Sequence, residues 1–300
     1  MSYNLTKGKI YTPEGCEINV SYHCNLSCRS CSHLSPTFKK FFVDSNQVFL
    51  DLSILAKYYH PEYIKVLGGE PLLHPELIQV IDAIRSTNIT ERILICTNGQ
   101  LLSKTPNEFW QKITEIEISI YPGKELNSEQ MKEIRQKANI YKVDLQFIYF
   151  DNFRESYSEL GTKNKELVKR IYSTCQIAHI WRCHTVCNGY FYKCPQSLFL
   201  PQAINNDTLK YSQDRIKITD RPHFLNDLLA YLECSKPLTS CNHCLGSVGN
   251  LFKHEQKNRQ TWRLYQQHTI EEMIDMDYLT ILEKEPDSDD LCVRNHCPID

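Results

Sequence analysis

The chain has 300 residues, 41% of them hydrophobic, which is enough for one large domain with a smaller one and a sizeable apolar core. Its 34 Lys and Arg residues nearly balance 36 Asp and Glu residues, a composition that disfavours nucleic acid as a partner. The N-terminus has no apolar export segment and the chain has no run of about 18 apolar residues, so we expect a cytoplasmic protein with no membrane partner.

Up to about residue 150, short β-rich apolar runs alternate with helical patterns, which is typical of a parallel α/β sheet or barrel. Pro75 is positioned to begin one helix, and Asn127 or Ser128 to cap another. The apolar residues at helical spacing are Val48, Leu52, Leu55 and Tyr59, then Leu77, Val80 and Ile84, and finally Met131, Ile134 and Ala138. The predicted strands are residues 16–22, 63–67, 92–97, 115–121 and 143–150.

Past residue 160 the pattern changes to cysteines, short strands and isolated helices. Asn188-Gly189 lies between two potential strands within residues 187–194, which is a strong hairpin signal. Residues 221–232 place four leucines on one helical face. Near the end, Thr269 and Glu272 match a capping box. The helix expected after this box carries Met273, Ile274 and Ile281.

Three of the fourteen cysteines, Cys24, Cys28 and Cys31, lie close together after the first predicted strand. In a reducing compartment, such clusters more often bind metal or catalyse reactions than form disulfides. Three thiolates are one ligand short of a tetrahedral zinc site, and one short of the four that usually hold a cubane iron-sulfur cluster. One alternative is therefore a structural zinc site completed by His23 or His33. The C-terminal end of a strand is also where parallel α/β barrels place their chemistry.

The loop "HCNLSCRSC" (residues 23–31), followed by "GGEP" (residues 68–71) after the second predicted strand, resembles the radical S-adenosylmethionine (radical SAM) superfamily. The resemblance implies a partial (β/α) TIM-type barrel of five or six parallel strands. It also implies that Cys24, Cys28 and Cys31 hold a 4Fe-4S cluster, with the fourth iron chelated by SAM. On physical grounds, two glycines let the backbone approach a ligand closely.

The same resemblance implies which residues contact SAM. A carboxylate such as Glu70 can accept a hydrogen bond from the SAM ammonium group. Many relatives have an aromatic residue near the adenine, where this chain has Ser30. By themselves, the glycine motif and "TNG" (residues 97–99) could be ordinary turns, and the strand serine could be half-buried. The matching residues are Gly68, Gly69 and Glu70 for the amino group, and Thr97, Asn98 and Ser119 for the ribose or the methionine carboxylate.

The later cysteines resemble the Twitch subclass of the SPASM/Twitch group, in which such residues hold one auxiliary 4Fe-4S cluster. That resemblance implies Cys194, Cys241 and Cys244 as ligands, with either Cys175 or Cys183 as the fourth. A second auxiliary cluster would require two more cysteines soon after Cys244, and the sequence there has none. The alternative is a zinc ribbon formed by Cys183, Cys194, Cys241 and Cys244.

Other cysteines have no assigned ligand role. In family members that epimerise, a thiol returns hydrogen to the substrate radical, and Cys96, Cys187 and Cys234 are candidates for this role. An inert buried thiol is the alternative for each. Cys292 and Cys297 could supply a late ligand or be ordinary thiols.

The resemblance covers about residues 16–250 and implies reductive cleavage of SAM to a 5'-deoxyadenosyl radical, which takes hydrogen from a C–H bond. Its carbohydrate-modifying branch implies a sugar or aminocyclitol as the small-molecule substrate. This substrate would be dehydrogenated or epimerised in a biosynthetic pathway, with flavodoxin or ferredoxin as electron donor. The alternatives are a maturase of a ribosomally made peptide and a non-catalytic zinc or iron-sulfur interaction module. The expected domains are a barrel (1–172), a Twitch-like segment (173–256), and C-terminal helices with a tail (257–300).

Overall fold

The computed structural model describes residues 3–210, 213–286 and 295–296. Its strands are β1 (Asn4–Thr6), β2 (Lys9–Thr12), β3 (Cys16–Ser21), β4 (Tyr59–Pro61), β5 (Ile64–Gly68), β6 (Ile93–Thr97), β7 (Glu115–Ile120), β8 (Asp144–Tyr149), β9 (Asn152–Arg154), β10 (His184–Cys187), β11 (Tyr190–Tyr192), β12 (Arg215–Lys217), β13 (Leu251–Lys253) and β14 (Asn295–His296). Its α-helices are α1 (Ser45–Leu55), α2 (Leu77–Ser86), α3 (Asn107–Gln111), α4 (Ser128–Tyr141), α5 (Lys165–Ser173), α6 (Gln176–His179), α7 (Pro195–Ala203), α8 (Asp207–Lys210), α9 (Phe224–Glu233), α10 (Ile270–Met273) and α11 (Met276–Lys284).

A nine-stranded sheet forms the centre of the molecule, in the order β12-β11-β10-β3-β5-β6-β7-β8-β14. The strands from β10 to β8 pair in parallel. The edge strands β12 and β14 pair antiparallel with β11 and β8, and β11 pairs antiparallel with β10. Each of the five runs predicted as strands forms a strand of this sheet, so the mixed α/β class with a parallel-rich sheet is confirmed. Parallel pairing brings the C-terminal ends of β3, β5, β6 and β7 to one edge.

The first helix shows where local pattern and tertiary structure diverge. Asp44 caps α1 by accepting hydrogen bonds from the backbone nitrogens of Asn46 (2.6 Å) and Gln47 (3.3 Å). The prediction that this helix includes Tyr59 was wrong, because α1 ends at Leu55 and Tyr59 begins β4. There the Tyr59 side chain is fully buried and its backbone pairs with β2. Sheet pairing therefore overrides the helical spacing.

Two further helix predictions need correction. Pro75 was predicted to begin a helix, but α2 starts two residues later, at Leu77. The predicted C-terminal helix is interrupted: the capping box of Thr269 begins α10, which ends at Met273, and Ile274 is extended. The interruption arises because the backbone of Ile274 bridges to that of Gly249. The predicted cap at Asn127 is confirmed, since it forms a capping box with Gln130 at the start of α4.

The hairpin predicted at Asn188-Gly189 is confirmed. Both residues have positive φ angles, 47° and 79°, which match a tight turn between β10 and β11. Because β10 then pairs in parallel with β3, the cysteine-rich second half of the chain extends the main sheet. No helix in the described parts of the chain is both long and apolar enough to cross a bilayer.

Candidate functional site

The three-cysteine loop leaves the C-terminal end of β3 and lies directly against the end of β5. The Gly69 backbone nitrogen donates to the Ser21 carbonyl (2.6 Å), and the Glu70 nitrogen donates to the His23 carbonyl (3.0 Å). A Cβ atom on Gly69 would lie 2.1 Å from the His23 carbonyl oxygen and 2.8 Å from the Cys24 nitrogen. Only glycine therefore permits this approach, which fixes the start of the loop at the sheet edge.

Three of the residues expected to contact SAM, namely Glu70, Thr97 and Asn98, lie together beside this loop. Glu70 is fully buried, and its carboxylate accepts from the Thr97 hydroxyl (2.6 Å) and the Asn98 backbone nitrogen (2.9 Å). The Asn98 amide donates to the Asn25 side chain (2.7 Å) and lies 3.8 Å from the Cys24 sulfur. Burial raises the pKa of Glu70 and these hydrogen bonds oppose the shift. The Glu70 carboxylate thus links the ends of β5 and β6.

A late segment of the chain, residues 255–262, contacts the other side of the loop. The Gln256 amide donates to the Cys28 sulfur (3.1 Å), and the Trp262 indole donates to the Cys28 carbonyl (2.9 Å). The Arg259 guanidinium donates to the Cys24 carbonyl. Sequence analysis missed these residues, because they lie more than 220 positions downstream in a segment without a motif.

Ser30, the position at which many members of the resembled family carry an aromatic residue, has a buried side chain. Its φ angle is 52°. Its hydroxyl donates to the Glu155 carboxylate and accepts from the Gln266 amide (2.9 Å). Arg29 forms ion pairs with Glu155 and with Glu255 (3.0 Å). The Ser30 hydroxyl therefore has protein partners that fix the conformation of the loop.

The three thiols of the loop lie near one another at this edge. Burial raises the pKa of Cys24 to about 12 and also raises the pKa of Cys28, and the nearby Cys31 adds to both shifts. The thiols of Cys24 and Cys28 are therefore neutral in the metal-free chain, and a metal that binds them must displace protons. Three thiols held at one strand end, with one ligand position left, fit a cluster that binds a small molecule.

The second cysteine group surrounds a small apolar cavity, which Cys175, Cys194, Cys241 and Cys244 line together. Cys175 and Cys194 immediately precede α6 and α7, while Cys241 lies in the 3-10 helix Thr239–His243 and Cys244 follows it. Burial raises the pKa of each, and their mutual proximity raises the pKa of Cys175, Cys241 and Cys244 further. Four thiols that converge on one apolar cavity suit an iron-sulfur cluster.

Beside this cavity lies a buried cation. Lys193 is 1% exposed, and its ammonium donates to the Tyr172 hydroxyl (2.9 Å) and the Cys234 carbonyl (2.8 Å). It has no ion pair with any carboxylate of the described residues, and Tyr172 also lines the cavity. A buried charge without a counter-charge is costly, so an anionic group is expected nearby. Thiolates bound to a metal would supply one.

Within the described ranges, no group of three or more His, Cys, Asp or Glu side chains could hold a single metal ion. The four thiolates of a cubane cluster bind four different iron atoms, which separates them more widely than ligands of one ion.

One face of the sheet carries a row of polar side chains, which we call the interior belt. Five neighbouring strands each contribute one residue to it, namely Thr185, Glu17, Lys65, Cys96 and Glu117. Glu17 accepts from Thr185 (3.1 Å), Lys65 donates to Glu117 (3.1 Å), and the Cys96 thiol donates to Glu117 (3.2 Å). Burial raises the pKa of Glu17 to about 7, although Lys65 opposes the shift. At neutral pH this carboxyl can therefore exchange a proton.

Two polar groups near this belt lack partners. The side chain of Asn19 is 1% exposed. Neither its amide oxygen Oδ1 nor its amide nitrogen Nδ2 has a hydrogen-bond partner among the described residues. The same is true of the His33 Nε2 atom, and burial lowers the pKa of His33 to about 4, so the ring is neutral. Buried polar atoms are normally paired, so both groups are available to a ligand. The alternation of Glu17, Asn19 and Ser21 within β3 was the sequence signal for this interior.

The remaining predicted thiols lie in different surroundings. Cys183 faces the interior, where its side chain hydrogen-bonds to Glu17, and not the four-cysteine cavity. Cys187 lies 3.1 Å from the Tyr22 hydroxyl, and Cys234 is exposed at the end of α9. Of the three suggested hydrogen donors, Cys96 is the one in the interior belt, beside Ser119. Cys292 and Cys297 lie outside the described residues.

Comparison with curated proteins gives partial matches to enzymes. The chain is 31% identical over 111 residues to GTP 3',8-cyclase of Trichodesmium erythraeum, covering 34% of this chain and 33% of the relative. It is 26% identical over 135 residues to the GTP 3',8-cyclase of Crocosphaera subtropica, covering 42% and 38%. The chain thus spans about a third of the length of the curated relatives it matches. No protein-family model matches it.

Solved structures similar to the chain include BtrN in complex with AdoMet and 2-DOIA, at 16% identity and a TM-score of 0.42 over 66% of this chain and 85% of that one. SuiB of Streptococcus suis bound to S-adenosylmethionine has 15% identity and a TM-score of 0.39, over 67% and 66%. At these TM-scores the likenesses have no bearing on function.

The glycine contact generates a first prediction. Replacing Gly69 with alanine forces its Cβ into the His23 carbonyl, so the loop must move and iron incorporation should fall sharply. The comparison variant is Gly123→Ala, at which a Cβ meets no atom within 4 Å and only the positive φ is strained. Iron content after anaerobic reconstitution and thermal unfolding should separate the two. Equal iron content in both variants would show that the close contact between Gly69 and the His23 backbone does not position the loop.

Proposed function

We propose that the chain is a radical SAM enzyme that dehydrogenates a small polyhydroxylated substrate. The observation that carries the proposal is the three-thiol loop held at the C-terminal edge of a parallel sheet, directly against the Gly-Gly-Glu turn. The sequence similarity to curated cyclases supports an enzyme over an interaction module.

In this proposal, Cys24, Cys28 and Cys31 bind a 4Fe-4S cluster. When bound, the cluster and SAM supply a 5'-deoxyadenosyl radical after reduction by a donor such as flavodoxin or ferredoxin. The turn of Gly68 and Gly69 offers backbone groups to the SAM amino group. Glu70 orders this turn and the neighbouring Asn98 through its buried hydrogen bonds.

The unpaired groups in the interior support a hydroxyl-rich substrate. The Asn19 amide and the His33 ring can each hydrogen-bond a hydroxyl group, and the interior belt provides further donors and acceptors. An apolar peptide side chain would leave the buried Asn19 amide unpaired, which is unfavourable. Polar lining therefore favours a sugar or aminocyclitol over a peptide.

Dehydrogenation requires two further acceptors after the hydrogen atom has left a carbinol carbon. The substrate radical becomes a carbonyl by losing one electron and one proton. The four-cysteine cavity is suited to a group that takes the electron. Glu17, with a pKa raised by burial to about 7, and Glu117 are the interior carboxylates that can take the proton.

The first test is SAM cleavage. Anaerobically reconstituted protein with dithionite should convert SAM to 5'-deoxyadenosine, and Cys28→Ala should lower the rate by at least about a hundredfold, because the cluster loses a ligand. Chromatography of the nucleoside product measures both. Intact protein with both clusters that forms no 5'-deoxyadenosine would support the non-catalytic module instead.

A second experiment identifies the substrate class. Deuterium should pass into 5'-deoxyadenosine from a ring-deuterated sugar or aminocyclitol. Transfer from a labelled precursor peptide instead would establish the maturase alternative.

Another prediction concerns the auxiliary site, to which we assign Cys175, Cys194, Cys241 and Cys244. Cys175→Ala should lose the iron of one cluster, about four atoms per chain, because a wall of the cavity loses its thiol. Cys183→Ala is the matched control and should keep its iron, because its side chain faces Glu17. Iron analysis and visible absorption measure both. Iron loss in Cys183→Ala alone would reassign the fourth ligand, and zinc in place of iron would favour the ribbon.

A further prediction concerns Lys193. Its buried positive charge should favour the more negative, reduced form of an adjacent cluster. Lys193→Met should lower the auxiliary midpoint potential by at least a tenfold change in the one-electron equilibrium, about 59 mV, whereas Lys193→Arg should keep most of the charge effect. A redox titration followed by electron paramagnetic resonance measures this. Identical potentials in all three proteins would show that the charge has no influence.

Epimerisation is a second candidate, favoured by Cys96. Burial raises the pKa of this interior thiol, so it keeps the hydrogen that it would donate. In deuterium oxide, an epimerase would place solvent deuterium on the inverted carbon, whereas a dehydrogenase would yield a carbonyl without it.

A further inference from the structure

A cavity of about 590 Å³ lies at the rim of the sheet, apart from both groups of cluster cysteines. It is bounded by residues 38–41, which follow the three-cysteine loop, by the β10–β11 hairpin, and by residues of α7 and β12. We call it the rim cavity. Its volume is within the range typical of small-molecule sites, about 300–1,000 Å³.

The charges around the rim cavity are predominantly positive. Lys39, Lys40 and Arg215 line it, and none of them forms an ion pair with a carboxylate of the described residues. The one lining carboxylate, Asp214, accepts hydrogen bonds from the backbone nitrogens of Thr239 and Ser240, both at 2.7 Å. The Asp214 carboxylate is therefore already bound by these backbone groups. The positive charges of Lys39, Lys40 and Arg215 then favour an anionic ligand.

Arg215 is already oriented for such a ligand. Its guanidinium carbon lies 4.1 Å from the centre of the Tyr190 ring, and one nitrogen donates to the Tyr192 hydroxyl (3.3 Å). Stacking on an aromatic ring holds the planar group while leaving other N–H groups to donate. A guanidinium group can donate two parallel hydrogen bonds to two oxygens of one phosphate, which increases both the affinity and the geometric specificity of binding.

Aromatic side chains form a second, apolar part of the rim cavity. The Tyr22 ring lies 4.5 Å from that of Phe41 and 5.4 Å from that of Phe38, between ring centres. All three line the cavity, together with Leu198. A ligand that fills this space would thus have an apolar or aromatic part next to its charged group.

We propose that the rim cavity binds a phosphorylated small molecule, with the phosphate at Lys39, Lys40 and Arg215 and the organic part against Tyr22, Phe38 and Phe41. This site goes beyond the proposed radical chemistry, because none of its phosphate or ring contacts involves a cluster cysteine or a residue of the interior belt.

The test is calorimetric titration of the full reconstituted chain, without SAM or reductant. Phenyl phosphate should bind more tightly than inorganic phosphate, since it also covers the aromatic wall, and binding should weaken with added salt. Lys39→Ala/Lys40→Ala and Arg215→Gln should each weaken phenyl phosphate binding by about tenfold or more, because each removes charged contacts.

The matched control is Lys163→Ala/Lys165→Ala, which removes two exposed lysines elsewhere and should leave the affinity unchanged. Absence of binding, equal affinity for both probes, or equal weakening by the control would overturn the proposal. If Arg215→Gln unfolds, the Lys39/Lys40 variant, which changes only exposed side chains, decides the outcome. Because no SAM cleavage is measured, failure of this proposal and failure of the radical SAM proposal are separate results.

Discussion

The contact between the Gly68-Gly69 turn and the backbone that follows β3 is the constraint on which the candidate site depends. At this point, two parallel strands end so close together that a Cβ on either glycine would meet backbone at 2.1 Å. The resulting hydrogen bonds to Ser21 and His23 set the direction in which the three-cysteine loop leaves the sheet. The buried Glu70 carboxylate then connects the next strand end to the same point. The thiols of the loop, the backbone of the glycine turn and the polar side chains after β6 therefore lie together at one edge of the sheet.

The interior of the sheet shows a second constraint, the presence of charge where packing alone would favour apolar residues. Glu17, Lys65 and Glu117 occupy positions that face inward from neighbouring strands, and removing such charges from water is costly even when they pair. A sheet that served only as a scaffold would gain stability from apolar residues at these positions. Their presence, beside the unpaired Asn19, is expected when an interior must bind and change a polar molecule.

Sequence patterns predicted the parts of this arrangement that are local. The five central strands, the Asn127 cap and the Asn188-Gly189 hairpin followed from runs, caps and turn residues that act within a few positions. The prediction that Tyr59 belongs to the first helix was wrong, because the pairing of its strand with β2, which is distant in sequence, outweighed helical spacing. The cause of this failure is a contact between two segments that are far apart in the chain.

The choice between Cys175 and Cys183 shows the same limit at the site. The sequence left both open, because Cys175 matches the spacing of the resembled family whereas Cys183 lies closer to the predicted hairpin. The structure separates them by strand alternation: Cys183 and Thr185 are two residues apart at β10 and both reach Glu17, so Cys183 faces the interior. Likewise, no motif marked Gln256 or Trp262, whose contacts with the cysteine loop appear only in the folded chain.

The contacts of residues 255–262 with the cysteine loop also have a consequence for biosynthesis. The cysteines leave the ribosome first, and the indole of Trp262, which bonds to the Cys28 carbonyl, is translated 234 residues later. At typical rates of about 5–20 residues per second, the nascent loop waits at least about ten seconds for that support. Machinery that delivers iron would thus meet either an unsupported, accessible loop during translation or a finished one afterwards.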